Sequence, residues 1–371
     1  MGQKNANSRL RVLRELMAER GYDAVLVRNV SDIRWLTGAA RVFDGETAHD
    51  ALITPDEAWL HTDGRYFGAL SAQADSDVWQ IDQEQDVTHA AWVAQRVRSG
   101  GVRVLAIEDS LTLGMYEDLN VELNKHSVAC LMPRLHGDLA KMRMIKDAGE
   151  LDVLKRAQRI TDEAFAHMCD VVRPGLSELA VRAELESYML SHEAHALAFD
   201  SIIAAGPNGA NPHARPSERA IEAGDLVVMD FGASLLDYQS DMTRTICVGA
   251  PSAKQIEAYD VVRRAHEAAA DAARPGMLGR ELHEVAARVI EEAGFGAYFT
   301  HGLGHGVGID IHELPVVGKR GDLTLDEGAV FTIEPGVYLP GVFGIRLEDC
   351  GVMGPEGYEP FTESPHELIC V

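Results

Sequence analysis

Four carboxylates carry the first chemical signal in this 371-residue chain. Asp230 follows the apolar run LVVM and Glu334 follows AVFTI, each just before a turn signal, Gly232 in one case and Pro335-Gly336 in the other. Burying a carboxylate alone in an apolar strand costs on the order of several kcal/mol, so such a group sits at an exposed strand end, pairs with a cation or binds a metal. Asp241 comes eleven residues after Asp230, beyond GASLLDYQS, and Glu348 comes fourteen residues after Glu334, beyond PGVYLPGVFG. Hairpin geometry would return the second acid of each pair close to the first. Four converging carboxylates repel one another unless about four positive charges balance them, and two divalent cations supply that charge.

Histidines complete the constellation. His301, His305 and His312 fall within HGLGHGVGIDIHE, a stretch whose glycines at 302, 304, 306 and 308 oppose a helix. The pattern is not the HExxH of a helical zinc site, and a phosphate-cradling loop lacks both GxxxxGK[ST] and any Lys or Arg here. The stretch is therefore expected to be extended backbone, with glycine chosen for close approach and imidazoles presented into a site. His213 lies in GPNGANPHARP, a loop of the kind that carries binding groups. Arg346 stands two residues before Glu348, on the same strand face, where it would neutralise that acid or meet a substrate carboxylate or carbonyl. A serine or cysteine nucleophile has no support: GxSxG is absent, and no Cys stands in a Cys/His frame.

The elements that must hold these groups are legible in outline. Leu10, Leu13, Leu16 and Met17 predict one face of a helix over 9–20, stopped by Gly21. AVLV (24–27), DALIT (50–54) and AWLHT (58–62) read as strands, the last two joined across Pro55-Asp56-Glu57, and a helix (86–98) and strand (102–107) follow. PRLHGD (133–138) reads as a boundary, giving domains 1–136 and 137–371. A long amphipathic helix is expected from near Met144, with Leu151, Leu154, Ala157 and Ile160 on one face. The second domain contains a weak repeat. Arg173-Pro174-Gly175 recurs as Arg274-Pro275-Gly276, and GDLVVMDFG (224–232) matches GAVFTIEPG (328–336) with Asp230 on Glu334. Two αβ halves around a shared core are expected, each ending an apolar strand in one acid.

Composition bounds the function. A formal net charge of −24 opposes general binding to nucleic acid or to an anionic membrane. No apolar run approaches the roughly 18 residues of a membrane span. The N-terminus shows neither signal-peptide organisation nor, with Ala6 at the sixth position, a myristoylation pattern. Five scattered cysteines without a CxxC pair suit reduced thiols and a cytoplasmic location.

The ordered motifs PHARP, DLVVMDFGA, DYQSDMTRT, HGLGHGVGIDIHE, TIEPGVY and GIRLED resemble those of the pita-bread metallopeptidases: aminopeptidase P, prolidase and methionine aminopeptidase. DIRWLTG (32–38) and TDGRY (62–66) resemble the N-terminal domain of the proline-specific branch, so the likeness covers nearly the whole chain. It implies an α/β (α+β) architecture, a creatinase-like N-terminal domain followed by a pseudo-twofold pita-bread domain. It also implies five metal ligands at Asp230, Asp241, His305, Glu334 and Glu348, holding two divalent ions that activate a water, Mn²⁺ first, with Co²⁺ or Zn²⁺ also suited to the donors. By the same resemblance Glu334 doubles as general base, and His312 and a metal stabilise the oxyanion. His213 orients the peptide and supports the leaving nitrogen, and His301, Arg346 and Tyr338 bind substrate. The implied reaction is hydrolysis of the bond between an N-terminal residue and a following proline. PHARP and TDGRY lean towards aminopeptidase P, with a strict Xaa-Pro dipeptidase as the alternative. A metal-free creatinase-type hydrolase and a non-catalytic binding module of this fold both lose ligand types that are present here. An exopeptidase must block one end of its cleft, which points to the N-terminal domain, the loop 37–46 in particular, and to a homodimer or larger assembly.

Overall fold

The computed structural model describes residues 2–46, 48–84 and 86–371. The chain divides into two units, Met1–Arg143 and Met144–Val371. The first contains α1 (Gly2–Arg20), β1 (Ala24–Val27), α2 (Val30–Thr37), β2 (Asp50–Ile53), β3 (Ala58–His61), α3 (Phe67–Gln73), β4 (Gln80–Asp82), α4 (His89–Ser99), β5 (Leu105–Ile107) and α5 (Leu113–Lys125), and α6 (Asp138–Met144) closes it. Its sheet runs β4-β3-β2-β1-β5. The β2–β3 pair is the antiparallel hairpin expected across Pro55, and β5 joins β1 in parallel. Helix α1 starts earlier than its apolar face indicates; Leu10, Leu13 and Met17 are buried and Leu16 only half so. Helix α4 begins at His89 rather than 86 because the Thr88 hydroxyl accepts from the Ala91 N–H at 3.2 Å and sets the cap there.

The long helix expected from near Met144 is present and starts at Ala148, with Leu154, Ala157 and Ile160 buried and Leu151 half-buried. Helix α6 ends at Met144, and α7 (Ala148–Val171) starts at a capping box. The Asp147 carboxylate accepts from the Gly149 and Glu150 N–H groups at 2.8 and 3.0 Å, while Glu150 accepts from the Asp147 N–H at 2.9 Å. The intervening Ile145 is extended and bridges to Ala329.

After α7 come α8 (Glu178–Ser191), β6 (Ala196–Leu197), β7 (Ile202–Ala205), β8 (Leu226–Phe231), β9 (Ala233–Leu235), β10 (Tyr238–Gln239) and β11 (Met242–Cys247). Then follow α9 (Ala253–Ala272), β12 (Met277–Leu278), α10 (Gly279–Glu292), β13 (Gly304–Gly306), β14 (Glu313–Val317), β15 (Thr324–Leu325), β16 (Val330–Ile333), β17 (Gly336–Leu339), β18 (Phe343–Arg346), β19 (Asp349–Met353) and β20 (Tyr358–Pro360). The repeat read from the sequence is visible as two halves, each a helix pair followed by antiparallel strands. Each Arg-Pro-Gly separates the two helices of a pair, α7 from α8 and α9 from α10. One core gathers Phe165, Met168, Leu185, Met229 and Phe231. The other gathers Val262, Leu282, Ile290, Phe331 and Ile333. Strand β8 alternates between them: Leu226 enters the second core, and Val227, Met229 and Phe231 enter the first. A strand buried on both faces reads as an unbroken apolar run, which is why LVVM shows no alternation.

Candidate metal centre and active site

The two acid pairs come from two different hairpins. Strand β8 lies between β7 and β11, antiparallel to both, with Thr243 opposite Asp230. The segment between Asp230 and Asp241 is more than a turn, since β9 and β10 form their own small sheet with β6. In the second hairpin β16 pairs with β19 and β17 with β18, with Ile333 opposite Asp349 and Gly336 opposite Arg346. Glu334 and Glu348 fall in the gap between these pairings, where Pro335 has no N–H to continue a ladder. Strand β13 then brings His305 in beside β16 and β14. The glycines of this stretch make that approach possible: a Cβ on Gly304 would stand 2.0 Å from the Thr332 carbonyl oxygen, and one on Gly306 2.0 Å from that of Leu314.

These elements converge on a cavity of about 510 Å³ lined by Asp230, Asp241, His305, Glu334 and Glu348, together with His213, His301, His312 and Arg346. Ligand atoms of Asp241, His305 and Glu348 lie within 4.8 Å of one another. His305 Nε2 is 3.5 Å from Asp241 and 3.4 Å from Glu334, while its Nδ1 faces the Gly306 carbonyl at 3.1 Å, which leaves Nε2 for the site. Asp241 and Glu348 are 4% and 2% exposed. Burial pushes the Asp241 carboxyl well above the usual range, and Glu348, Asp230 and Glu334 add to the rise. Glu348 is raised by burial and then by Glu334 and Asp230. Glu334 is pushed up to about 7, chiefly by burial. Arg346 is the single Arg or Lys among the described residues lining the cavity. One guanidinium cannot balance four clustered carboxylates, and the donor set of four carboxylates and one imidazole therefore fits a pair of hard-to-borderline divalent cations.

Arg346 does not pair with Glu348, one of the two roles its position on the strand allowed. It binds the Asp230 carboxylate directly and stands 4.0 Å from Glu334. Its other donors reach the Thr243 hydroxyl (2.9 Å), the Tyr338 hydroxyl (2.8 Å) and the Pro212 carbonyl (3.3 Å). Although burial alone would lower its pKa, Tyr338, Asp230 and Glu334 hold it well above the usual value. Tyr338 is 4% exposed and stands behind the cavity wall, its hydroxyl joining Arg346 to His301 Nε2 at 3.0 Å. Its place in the structure is thus to fix two side chains rather than to face the cavity. His301 is lowered to about 4 by burial. His312 lies with its ring 4.3 Å from that of His305 and is lowered by burial and by His305. His213 is exposed on its loop at the cavity.

Sequence reasoning missed Thr243. Its hydroxyl donates to Glu348 at 2.7 Å and accepts from Arg346, linking ligand and cation. The signal was available: Thr243 stands two residues after Asp241 and so shares its strand face. Phe199, Ile202 and Ile311, apolar parts of the cavity wall, carried no signal at all.

Residues 152–355 match the model of metallopeptidase family M24, and residues 9–145 match the creatinase/prolidase N-terminal domain. The chain belongs to metallopeptidase family M24. Its fold is accordingly a creatinase-like N-terminal domain followed by a pita-bread domain. It is 34% identical to the Xaa-Pro dipeptidase of Pyrococcus horikoshii over 98% of this chain and 99% of that relative. Among solved structures, the Xaa-Pro dipeptidase from Bacillus anthracis superposes with a TM-score of 0.91 at 38% identity, covering 99% of this chain and 100% of that one. The X-Pro aminopeptidase from Thermotoga maritima superposes with a TM-score of 0.86 at 31% identity, covering 95% and 99%. No helix among the described residues is long and apolar enough to cross a membrane.

Proposed function

We propose that this chain is a dinuclear-metal exopeptidase that hydrolyses the bond between an N-terminal residue and a following proline. The observation that carries the reading is the convergence of Asp230, Asp241, His305, Glu334 and Glu348 in one cavity with a single guanidinium to balance them. These five residues would hold two divalent ions, Mn²⁺ first given the oxygen-rich set, with Co²⁺ and Zn²⁺ also accommodated. Once bound, the ions would supply Lewis-acid polarisation and a water acidic enough to attack near neutral pH.

The remaining steps belong to the side chains. Glu334, pushed up to about 7 chiefly by burial, takes the proton of the attacking water. His312, held neutral by burial, donates an N–H to the oxyanion as charge develops on the scissile carbonyl. His213, exposed on its loop, orients the peptide and supports the departing proline nitrogen. His301, anchored by Tyr338, shapes the proline pocket, and Arg346 holds the Asp230 carboxylate in place and offers its remaining donor surface to the substrate. A proline-specific site answers a chemical need, since an Xaa-Pro bond has no N–H for an extended-strand binding mode.

The reading includes peptides longer than two residues as substrates, as in aminopeptidase P. The alternative, a strict Xaa-Pro dipeptidase, is favoured by the names of the relatives from Pyrococcus horikoshii and Bacillus anthracis. Comparing Ala-Pro with Ala-Pro-Ala after Mn²⁺ loading separates the two: cleavage of both supports the broader activity, and cleavage of Ala-Pro alone establishes the dipeptidase. Hydrolysis of neither removes the peptidase reading. A homodimer or larger assembly in the cytoplasm completes the proposal; the five cysteines are all free thiols, as a reducing compartment requires.

A further inference from the structure

Behind Glu348 the chain gathers a second set of donors that the reaction does not use. Asp349 opens β19, and the alternation of a strand turns its side chain to the face opposite Glu348. Its Oδ1 is fixed by the Arg244 guanidinium at 2.7 Å. Its Oδ2 faces two imidazoles, His366 Nε2 at 2.8 Å and His266 Nε2 at 3.4 Å. Donor atoms of the three residues all lie within 4.8 Å of one another. His266 is 1% exposed, yet neither of its ring nitrogens has a hydrogen-bond partner. Buried polar groups in native proteins are nearly always satisfied, and an unsatisfied one calls for an occupant.

We propose that His266, Asp349 and His366 form a further divalent-cation site of the Zn²⁺ class, separate from the dinuclear set. Two imidazoles and one carboxylate are the protein share of a tetrahedral zinc site with one position left for water. Bonds of about 2.0–2.1 Å in such a site place neighbouring ligand atoms about 3.3 Å apart, and the separations of 2.8 and 3.4 Å bracket that value. Nitrogen-rich ligation selects Zn²⁺ over Mn²⁺, whereas the oxygen-rich cavity beyond Glu348 does the opposite. His366, with its side chain 31% exposed, provides the entry path. The three ligands come from α9, β19 and the C-terminal segment, which lies along β11 through Cys247 N–H to Ile369 O (2.8 Å) and Val371 N–H to Cys247 O (2.9 Å). A cation there would pin the chain end to the strand and helix behind the catalytic acids.

The test uses the full-length Mn²⁺-loaded protein, given Zn²⁺ in slight excess and desalted, with both metals counted per chain by mass spectrometry. The expected result is one retained Zn²⁺ with the Mn²⁺ content unchanged, and loss of that Zn²⁺ in His366→Ala and in His266→Gln at unchanged Mn²⁺. Zn²⁺ that displaces Mn²⁺ one for one, or that the two variants retain as wild type does, overturns the site. His366→Ala alters a partly exposed residue and leaves the Arg244–Asp349 pair intact, so it remains informative if His266→Gln fails to fold. X-ray absorption at the zinc edge gives an independent readout: two imidazole nitrogens around the retained Zn²⁺ support the assignment, and any other nitrogen count removes it. Neither measurement depends on catalysis, so failure of the peptidase reading and failure of this one are distinguishable.

Discussion

Glu348 and Asp349 are neighbours in sequence and both are buried, yet their environments push them in opposite directions. Glu348 faces a cavity of acids and is raised well above the usual carboxylate range by burial and by Glu334 and Asp230. Asp349 faces the other way. Burial alone would raise it too, but Arg244 and the two histidines hold it well below that range. The chain supplies its own cation on one side and leaves the other short of positive charge. A buried acid held by a cation of the chain itself stays ionised in the interior, whereas clustered buried acids without enough cations require charge from outside.

The largest expected effect comes from removing a proposed ligand on the acidic side. Asp241→Ala should abolish binding of at least one metal ion and lower kcat/KM by about 10⁴-fold, on the order of 5.5 kcal/mol in the barrier, with the fold intact by circular dichroism. Activity within tenfold of wild type would sink the ligand assignment. On the paired side, Arg244→Leu should destabilise the protein by about 3–5 kcal/mol in urea unfolding, because it strands Asp349 and the carbonyls of Thr243, Glu348, Ser364 and Pro365. An unchanged midpoint would show that the pair is dispensable.

His266 gives a pH-dependent test of the same side. Its folded pKa of about 4 lies below the ordinary 6.5, so the unfolded chain binds a proton that the folded chain refuses between those values. Stability from this residue is therefore complete above about pH 6.5 and lost as pH falls towards 4, by about 3 kcal/mol in total. His266→Gln should flatten the acid limb of the stability profile, and an identical limb in the variant would contradict the burial argument. The smallest effect is expected at Thr243, which touches the acid cluster without being a ligand. Thr243→Val removes hydrogen bonds to Glu348 and Arg346 and should cost about tenfold in kcat, on the order of 1.4 kcal/mol, with little change in KM. A loss confined to KM would instead place Thr243 in substrate binding.

Sequence and structure agree most closely where local rules decide. The apolar run before Asp230 and the Pro55 hairpin each contain their own instructions. The approach of Gly304 and Gly306 to neighbouring carbonyls likewise follows from a glycine pattern that opposes a helix. Agreement weakens where the partner is distant in the chain. Nothing near Arg346 in sequence indicates that its guanidinium binds Asp230 rather than Glu348, because the choice depends on how β18 lies across β8 and β11. The apolar wall residues Phe199 and Ile202 were silent for the same reason.

The amino-acid sequence by itself determined which residues could carry metal chemistry and, through the near-repeat of GDLVVMDFG and GAVFTIEPG, that two hairpins would present them. It did so because residue type and strand period are local properties. Only the tertiary structure decided which buried acids are balanced and which are not. Charge balance in a low-dielectric interior is set by distances of a few ångströms between segments a hundred residues apart, as between Arg244 and Asp349 or Arg346 and Asp230.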